Sequence, residues 1–169
     1  MPSLPTQSDL AENVRKENSE RRGLMQPKIA THRIDVKLVE RLHFEASFGS
    51  FSFAIDEPSE RGGTDKGLPP LAYFLAGAAS CLMTQYMKLA DEKKIQIDSM
   101  ETIARGHFDR RIGGAFTDIE YDINMQSSCN ADQMKSLMGE AEGMCYAHNT
   151  LKKAVLMKTS VILNGTRIT

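Results

Sequence analysis

The chain is 169 residues long, 41% apolar and 25% charged, with a formal net charge of -1. That length predicts one domain with enough chain to bury a real core. The near-neutral balance gives no electrostatic case for nucleic acid or an acidic membrane as partner. The N-terminus, MPSLPTQSDLAEN, has no basic-then-apolar pattern, so no signal peptide is expected. Three cysteines in such a chain point to a reducing, cytoplasmic compartment.

Residues 1–28 are polar and charge-rich, with Leu10 and Val14 among few apolar positions. They read as a helical or flexible extension ahead of a domain spanning 29–169, with short apolar clusters suited to docking on a partner subunit. The character changes from Ile29. Ile34, Val36 and Leu38 alternate with polar neighbours and predict a half-buried strand. A second short strand is expected over residues 42–47 and a third at Phe51, Phe53 and Ile55. EPSERGGTDKG then predicts an exposed, mobile loop.

Between Lys66 and Lys88 lie 21 residues without a charge. Leu71, Leu75, Ala78, Leu82, Tyr86 and Leu89 recur at helical spacing, so residues 68–90 are expected to form a long buried helix. Pro69 and Pro70 suit its first turn, where backbone N–H groups lack intrahelical partners anyway. As a membrane span the stretch is just long enough, but the prolines, Gly77, Ser80, Thr84 and Gln85 interrupt it. A core helix is the better reading, and no membrane partner is expected.

Beyond it, residues 100–108 and 118–126 predict an antiparallel hairpin around a turn at 110–114, with Ile119, Tyr121, Ile123 and Met125 on one face. Asn130 and Gln133 form a capping pair for a second helix, whose inward stripe is Met134, Leu137, Met138, Ala141 and Cys145. A short helix over 150–154 and a last strand over 158–164 complete the order. The layering implies an α+β fold, a curved antiparallel sheet packed on one long helix.

His32, His43, His107 and His148 show no ligand-type spacing, and Cys81, Cys129 and Cys145 form no CxxC. No metal or cofactor is predicted. Cys129 lies among Ser127, Ser128 and Asn130 and reads as incidental. Cys81 and Cys145, each on or beside the apolar face of its helix, allow two readings. Either they are buried small hydrophobes in one core, or they are a redox pair in which one thiolate becomes a sulfenic acid and the other condenses with it. The second reading calls for a cation near Cys81, because an unaided thiol is only a few per cent ionised near neutral pH. Arg33, Arg41 and Arg61 precede the helix and are the candidates, though each is equally a solvated surface charge.

Two segments carry a family resemblance. LPPLAYFLAGAASCLM is similar to the segment of the OsmC/Ohr family in which a proline opens the central helix and small residues lead to a cysteine. MCYAHNTLKKA resembles the family's second cysteine segment, which Cys145, Asn149 and Leu151 fit. The resemblance covers roughly residues 30–165. It implies an intertwined homodimer with sites at the subunit interface, and a thiol peroxidase of the organic hydroperoxide resistance and stress response type. In that reading Cys81 attacks the hydroperoxide and Cys145 resolves the sulfenic acid to a disulfide, which an external dithiol reduces. Arg41 steadies the thiolate, with Arg33 as rival. The chain departs from the family's peroxidases at Leu71 and Ala72, where they carry a glutamate, and at Tyr146, where a proline is usual. The alternative is a non-catalytic dimer of the same fold that binds a small apolar ligand at its interface.

Overall fold

The computed structural model describes residues 30–111 and 113–169, so the extension expected over residues 1–28 lies outside the described residues. β1 (Asp35–Glu40), β2 (His43–Phe48) and β3 (Phe51–Ile55) form a three-stranded sheet in that order. The β2–β3 hairpin pairs Phe48 with Phe51, and its tight turn places Gly49 at φ 60°, a conformation glycine adopts without a steric penalty. The alternation in β1 predicted a half-buried strand. Instead the whole strand is exposed, with Val36 54% and Leu38 64% accessible.

The turn-rich stretch that follows is less free than its composition suggested. The buried Asp56 carboxylate accepts hydrogen bonds from Thr64 N–H at 3.0 Å, Thr64 Oγ1 at 2.5 Å and Lys66 N–H at 3.1 Å. These tie the loop to the end of β3, where Ile55 bridges Leu68.

The long helix α1 runs from Pro70 to Glu92, with Pro69 as its N-cap. It reaches the first sheet through Tyr73, whose hydroxyl donates to Ala54 O at 2.6 Å and whose ring packs 4.9 Å from Phe53. Its buried face is Ala78, Ala79, Leu82, Tyr86, Leu89 and Ala90. Leu71, expected on that stripe, is 51% exposed, because the core begins two turns further along.

β4 (Ile97–His107) and β5 (Asp118–Ser127) form the expected antiparallel hairpin. Ile119, Tyr121, Ile123 and Met125 point into the core, as their alternation required. α2 (Ala131–Met144) starts with a full capping box between Asn130 and Gln133 and buries Met134, Leu137, Met138 and Ala141. Each fully buried Leu, Ile or Met contributes about 1.5–3 kcal/mol relative to exposure.

The short helix begins earlier than expected, as α3 (Tyr146–Leu151), immediately after Cys145. β6 (Leu156–Leu163) then lies parallel to β5, and β7 (Thr166–Arg167) antiparallel to β6. In place of the single antiparallel sheet expected, the strands therefore make two sheets, and the second is mixed. The parallel pair follows from the crossover through α2 and α3, since parallel neighbours need a long connection. Val36–Thr169 form a compact unit. Among the described residues no helix is long and apolar enough to cross a membrane.

Candidate functional site

Cys81 lies near the middle of α1, beside the residues that face the core, and is partly accessible. Cys145, expected on the inward stripe of the second helix, sits instead at the junction of α2 and α3. It ends one helix and caps the next. Its N–H donates to Ala141 O at 3.0 Å, while its Sγ accepts from the N–H of His148 at 3.4 Å. Asn149 secures the same corner: its N–H donates to Cys145 O at 2.9 Å and its Nδ2 to Gly143 O at 2.6 Å.

Packing of α1 against this corner brings together two thiols 64 residues apart, with Cys145 Sγ donating to Cys81 Sγ at 3.4 Å. Both are free thiols. A disulfide has an S–S distance of about 2.05 Å, so a small local shift suffices to join them. Cys145 is fully buried, and burial raises its pKa above the usual thiol value. The His148 N–H opposes this, and neighbouring Cys81 reinforces it.

Beneath the thiols stands Tyr121 of β5. Burial pushes its hydroxyl up to about 12, with Cys145 and then Cys81 adding to the shift, so the phenol shares the sulfurs' surroundings. It is buried without a hydrogen-bond partner. His148 is buried as well, with Nε2 4.0 Å from Glu142 Oε2 and Nδ1 unpartnered. Burial lowers its pKa, Glu142 opposes that shift and Lys152 adds to it. His148, Glu142 and Tyr121 were not singled out from the sequence. The Cys-x-x-His spacing carried the signal, being that of an N-cap and its N3 partner.

Two largely apolar clefts open nearby. One of about 370 Å³ is lined by Phe74, Ala78, Tyr146, Ala147, Thr150 and Leu151, so its walls come from the turns beside both cysteines. The other, about 410 Å³, is lined by Leu71, Phe108 and Phe116 together with the charged pair Asp109 and Arg110. Phe74 and Phe116 stack 5.7 Å apart between them. Leu71 thus supplies apolar wall to the second cleft.

The arginines are placed differently from the thiols. Arg41 occupies the β1–β2 turn, exposed, at φ 48°. Among the described residues no hydrogen bond or ion pair joins it to either cysteine. Arg33 pairs with Asp35 at 2.6 Å and Arg61 with Glu57 at 3.6 Å. Cys129 is buried against Ser127 Oγ at 3.3 Å, a local contact at the start of α2. The β4–β5 pairing also gathers His107, Asp118 and Glu120, whose donor atoms lie within 4.8 Å of one another. Lys158 already sits on both carboxylates, at 3.5 and 3.0 Å, so the group reads as an ion network on the outer sheet face.

Solved structures share this architecture. An OsmC-like protein from Mycoplasma pneumoniae superposes with a TM-score of 0.71 at 23% identity, covering 79% of this chain and 97% of its own. An OsmC-like protein of unknown function from Vibrio cholerae gives 0.68 at 15% identity, with 79% and 100% covered. An organic hydroperoxide resistance protein OsmC from Legionella pneumophila gives 0.60 at 20% identity, with 79% and 97% covered. At these identities the likeness is one of fold. No curated protein matches the sequence. The sequence profile of the OsmC-like proteins matches residues 63–160, more than half of the chain and the whole stretch carrying both thiols, and the chain therefore belongs to the OsmC-like protein family.

Proposed function

We propose that this protein is a thiol-dependent peroxidase that reduces organic hydroperoxides through Cys81 and Cys145. The observation that carries the reading is the 3.4 Å contact between two free thiols that are distant in sequence. Their unequal burial supports a division of roles. Cys81 is the accessible member, so its thiolate attacks the hydroperoxide, the O–O bond breaks, the alcohol leaves and Cys81 becomes a sulfenic acid. Buried Cys145 then forms the S–S bond as the Cys81 S–O bond breaks and water departs. Two electrons pass from the thiols to the peroxide, and an external dithiol returns them by exchange. The apolar cleft beside the cysteines suits an organic rather than an inorganic peroxide.

The reading includes a homodimer. Val36, Leu38, Phe48 and Phe51 on the first sheet and Leu71, Phe74 and Met87 on α1 leave more apolar surface exposed than a soluble monomer usually carries. A second copy of the chain is the partner proposed to cover it. In that assembly Arg41 supplies the cation that steadies the Cys81 thiolate. Sedimentation of a monomer at micromolar concentration contradicts the dimer. For the chemistry, the reduced protein is treated with an alkyl hydroperoxide and its thiols are mapped by mass spectrometry. Recovery of Cys81 and Cys145 unmodified, with no peroxide consumed, defeats the proposal.

One observation favours a second reading. With Leu71 and Ala72 in place of the family acid, neither position offers a carboxylate to hold an arginine, and Leu71 gives an apolar side to a cleft it shares with Phe108 and Phe116 as well as Asp109 and Arg110. A non-catalytic dimer that binds a small apolar molecule fits that substitution. Native mass spectrometry separates the two: a co-purified apolar ligand without peroxide turnover selects binding, and turnover from an empty cleft selects catalysis.

A further inference from the structure

The free thiols of Cys81 and Cys145 stand 3.4 Å apart, sulfur to sulfur, on elements packed into one core. That separation also selects what the pair can hold between its sulfurs. An atom bonded to both at about 2.3 Å, the zinc–thiolate length, subtends an S–X–S angle of about 95° at this spacing. A tetrahedral metal asks for about 109° and for two further ligands. A linear two-thiolate centre needs the sulfurs two bond lengths apart. Trivalent arsenic differs from both. Its lone pair makes it pyramidal, with bond angles not far above a right angle, and two thiolates plus one substituent of its own complete it.

The donor set points the same way. Among the described residues, the ligand atoms of His, Cys, Asp and Glu that gather in a group of three are those of His107, Asp118 and Glu120, and neither Cys81 nor Cys145 joins them. Cys129 is engaged with Ser127. The pair therefore offers two soft sulfur ligands with no third side chain of those types beside them. A place exists for the remaining substituent. Phe74 and Ala78 lie two turns and one turn before Cys81 on the same side of α1, and Tyr146 and Ala147 follow Cys145 directly. These four line the apolar cleft of about 370 Å³. An apolar cavity of about 150 Å³ already holds a benzene ring.

We propose that Cys81 and Cys145 form a chelating site for trivalent organoarsenicals, aryl arsenoxides above all, with both sulfurs on arsenic and the aryl group in the cleft. Partly accessible Cys81 bonds first and Cys145 closes the chelate. The step is a condensation with no change of oxidation state. Two As–S bonds form as the arsenic–oxygen bond of the arsenoxide breaks, and the two S–H protons leave with that oxygen as water. No peroxide, reductant or second copy of the chain takes part, so the site stands independently of the peroxidase reading. Because the second sulfur is already in place when the first has bonded, capture by the pair exceeds capture by one thiol by about 10²–10⁴.

The probe is phenylarsine oxide, mixed in equal amount with the full chain held reduced by a phosphine. Intact-mass spectrometry is expected to show one adduct of the reagent less water. Free thiols fall from three to one, and the survivor maps to Cys129. Excess monothiol leaves the adduct in place, whereas a dithiol removes it. Cys81→Ser and Cys145→Ser are each expected to bind at least about a hundredfold more weakly. Circular dichroism checks their folding, and Cys81→Ser, at the partly accessible position, carries the test if Cys145→Ser does not fold. Thr150→Trp fills the cleft from an exposed position and is expected to weaken capture while both thiols remain. Loss of a single thiol per arsenic, wild-type affinity in folded Cys81→Ser, or an adduct that monothiol strips overturns the chelate. Unchanged affinity in Thr150→Trp overturns the cleft as the seat of the aryl group.

Discussion

Oxidation of the Cys81–Cys145 pair offers a perturbation whose size follows from where the two residues lie. The bond would close a loop of 64 residues. In the chain-entropy treatment this removes 2.1 + 1.5R ln 64 from the unfolded ensemble, about 14 cal/mol/K, or about 4 kcal/mol at 25 °C. For a domain of this length each kcal/mol moves the midpoint by about 2–4 °C, so the oxidised protein should melt roughly 8–16 °C higher. The sulfurs already touch, and little native distortion is needed to subtract from that gain. The assay is thermal and urea unfolding of protein treated with diamide, against protein held in excess dithiol, with free thiols counted in both. Cys145→Ala supplies the control that cannot close the loop. A treated sample that retains all three thiols refutes the juxtaposition. A sample that forms the bond with no rise in midpoint refutes the assumption that native geometry accommodates it.

Other outcomes follow from single features. Tyr86 is fully buried and its hydroxyl has no partner, so Tyr86→Phe should leave stability unchanged or raise it by up to about 1 kcal/mol in urea titration; a loss above about 1 kcal/mol would reveal a bonded hydroxyl. Asn130 closes a capping box, so Asn130→Ala should cost about 1 kcal/mol and Asn130→Gly only a few tenths, read from the same titrations; equal costs contradict a capping role. His148 has its pKa held below the ordinary value mainly by burial. As pH falls below about 6.5 the unfolded chain takes up that proton before the folded one, and stability declines by up to about 1.4 kcal/mol per pH unit until the folded value is passed. Urea midpoints between pH 7.5 and 5.5 should show this decline in the wild type and less of it in His148→Gln. Parallel curves for the two proteins count against a buried neutral imidazole.

Local pattern carried much of the architecture. The alternation of Ile119, Tyr121, Ile123 and Met125 located β5 and its inward face, because a strand's period of two is written directly in consecutive residues. The uncharged run located α1, and the Asn130–Gln133 pair located the start of α2, because caps and periodicity are satisfied within a few residues. The same patterns misplaced features whose neighbours are remote. Leu71 shares the helical spacing of Leu82 and Tyr86 yet is exposed, since no core lies beside the first turns of α1. Val36 and Leu38 alternate like a half-buried strand, and spacing does not say whether the covering layer belongs to the same chain. The parallel register of β5 and β6 depends on a crossover that no strand records in its own residues.

The thiols divide along the same line. By itself the sequence determined that Cys81 lies on the long helix, that Cys145 lies near the end of the second, and that both fall in segments resembling one family, all matters of residue type and short spacing. Only the tertiary structure decided that the two sulfurs meet. It also decided that Cys145 caps α3 rather than extending the α2 stripe, its sulfur accepting from the His148 backbone N–H, and that the buried His148 ring meets Glu142. Contact across 64 residues is set by how α1 packs against the α2–α3 corner, and that packing is a sum over the whole core which no local pattern contains.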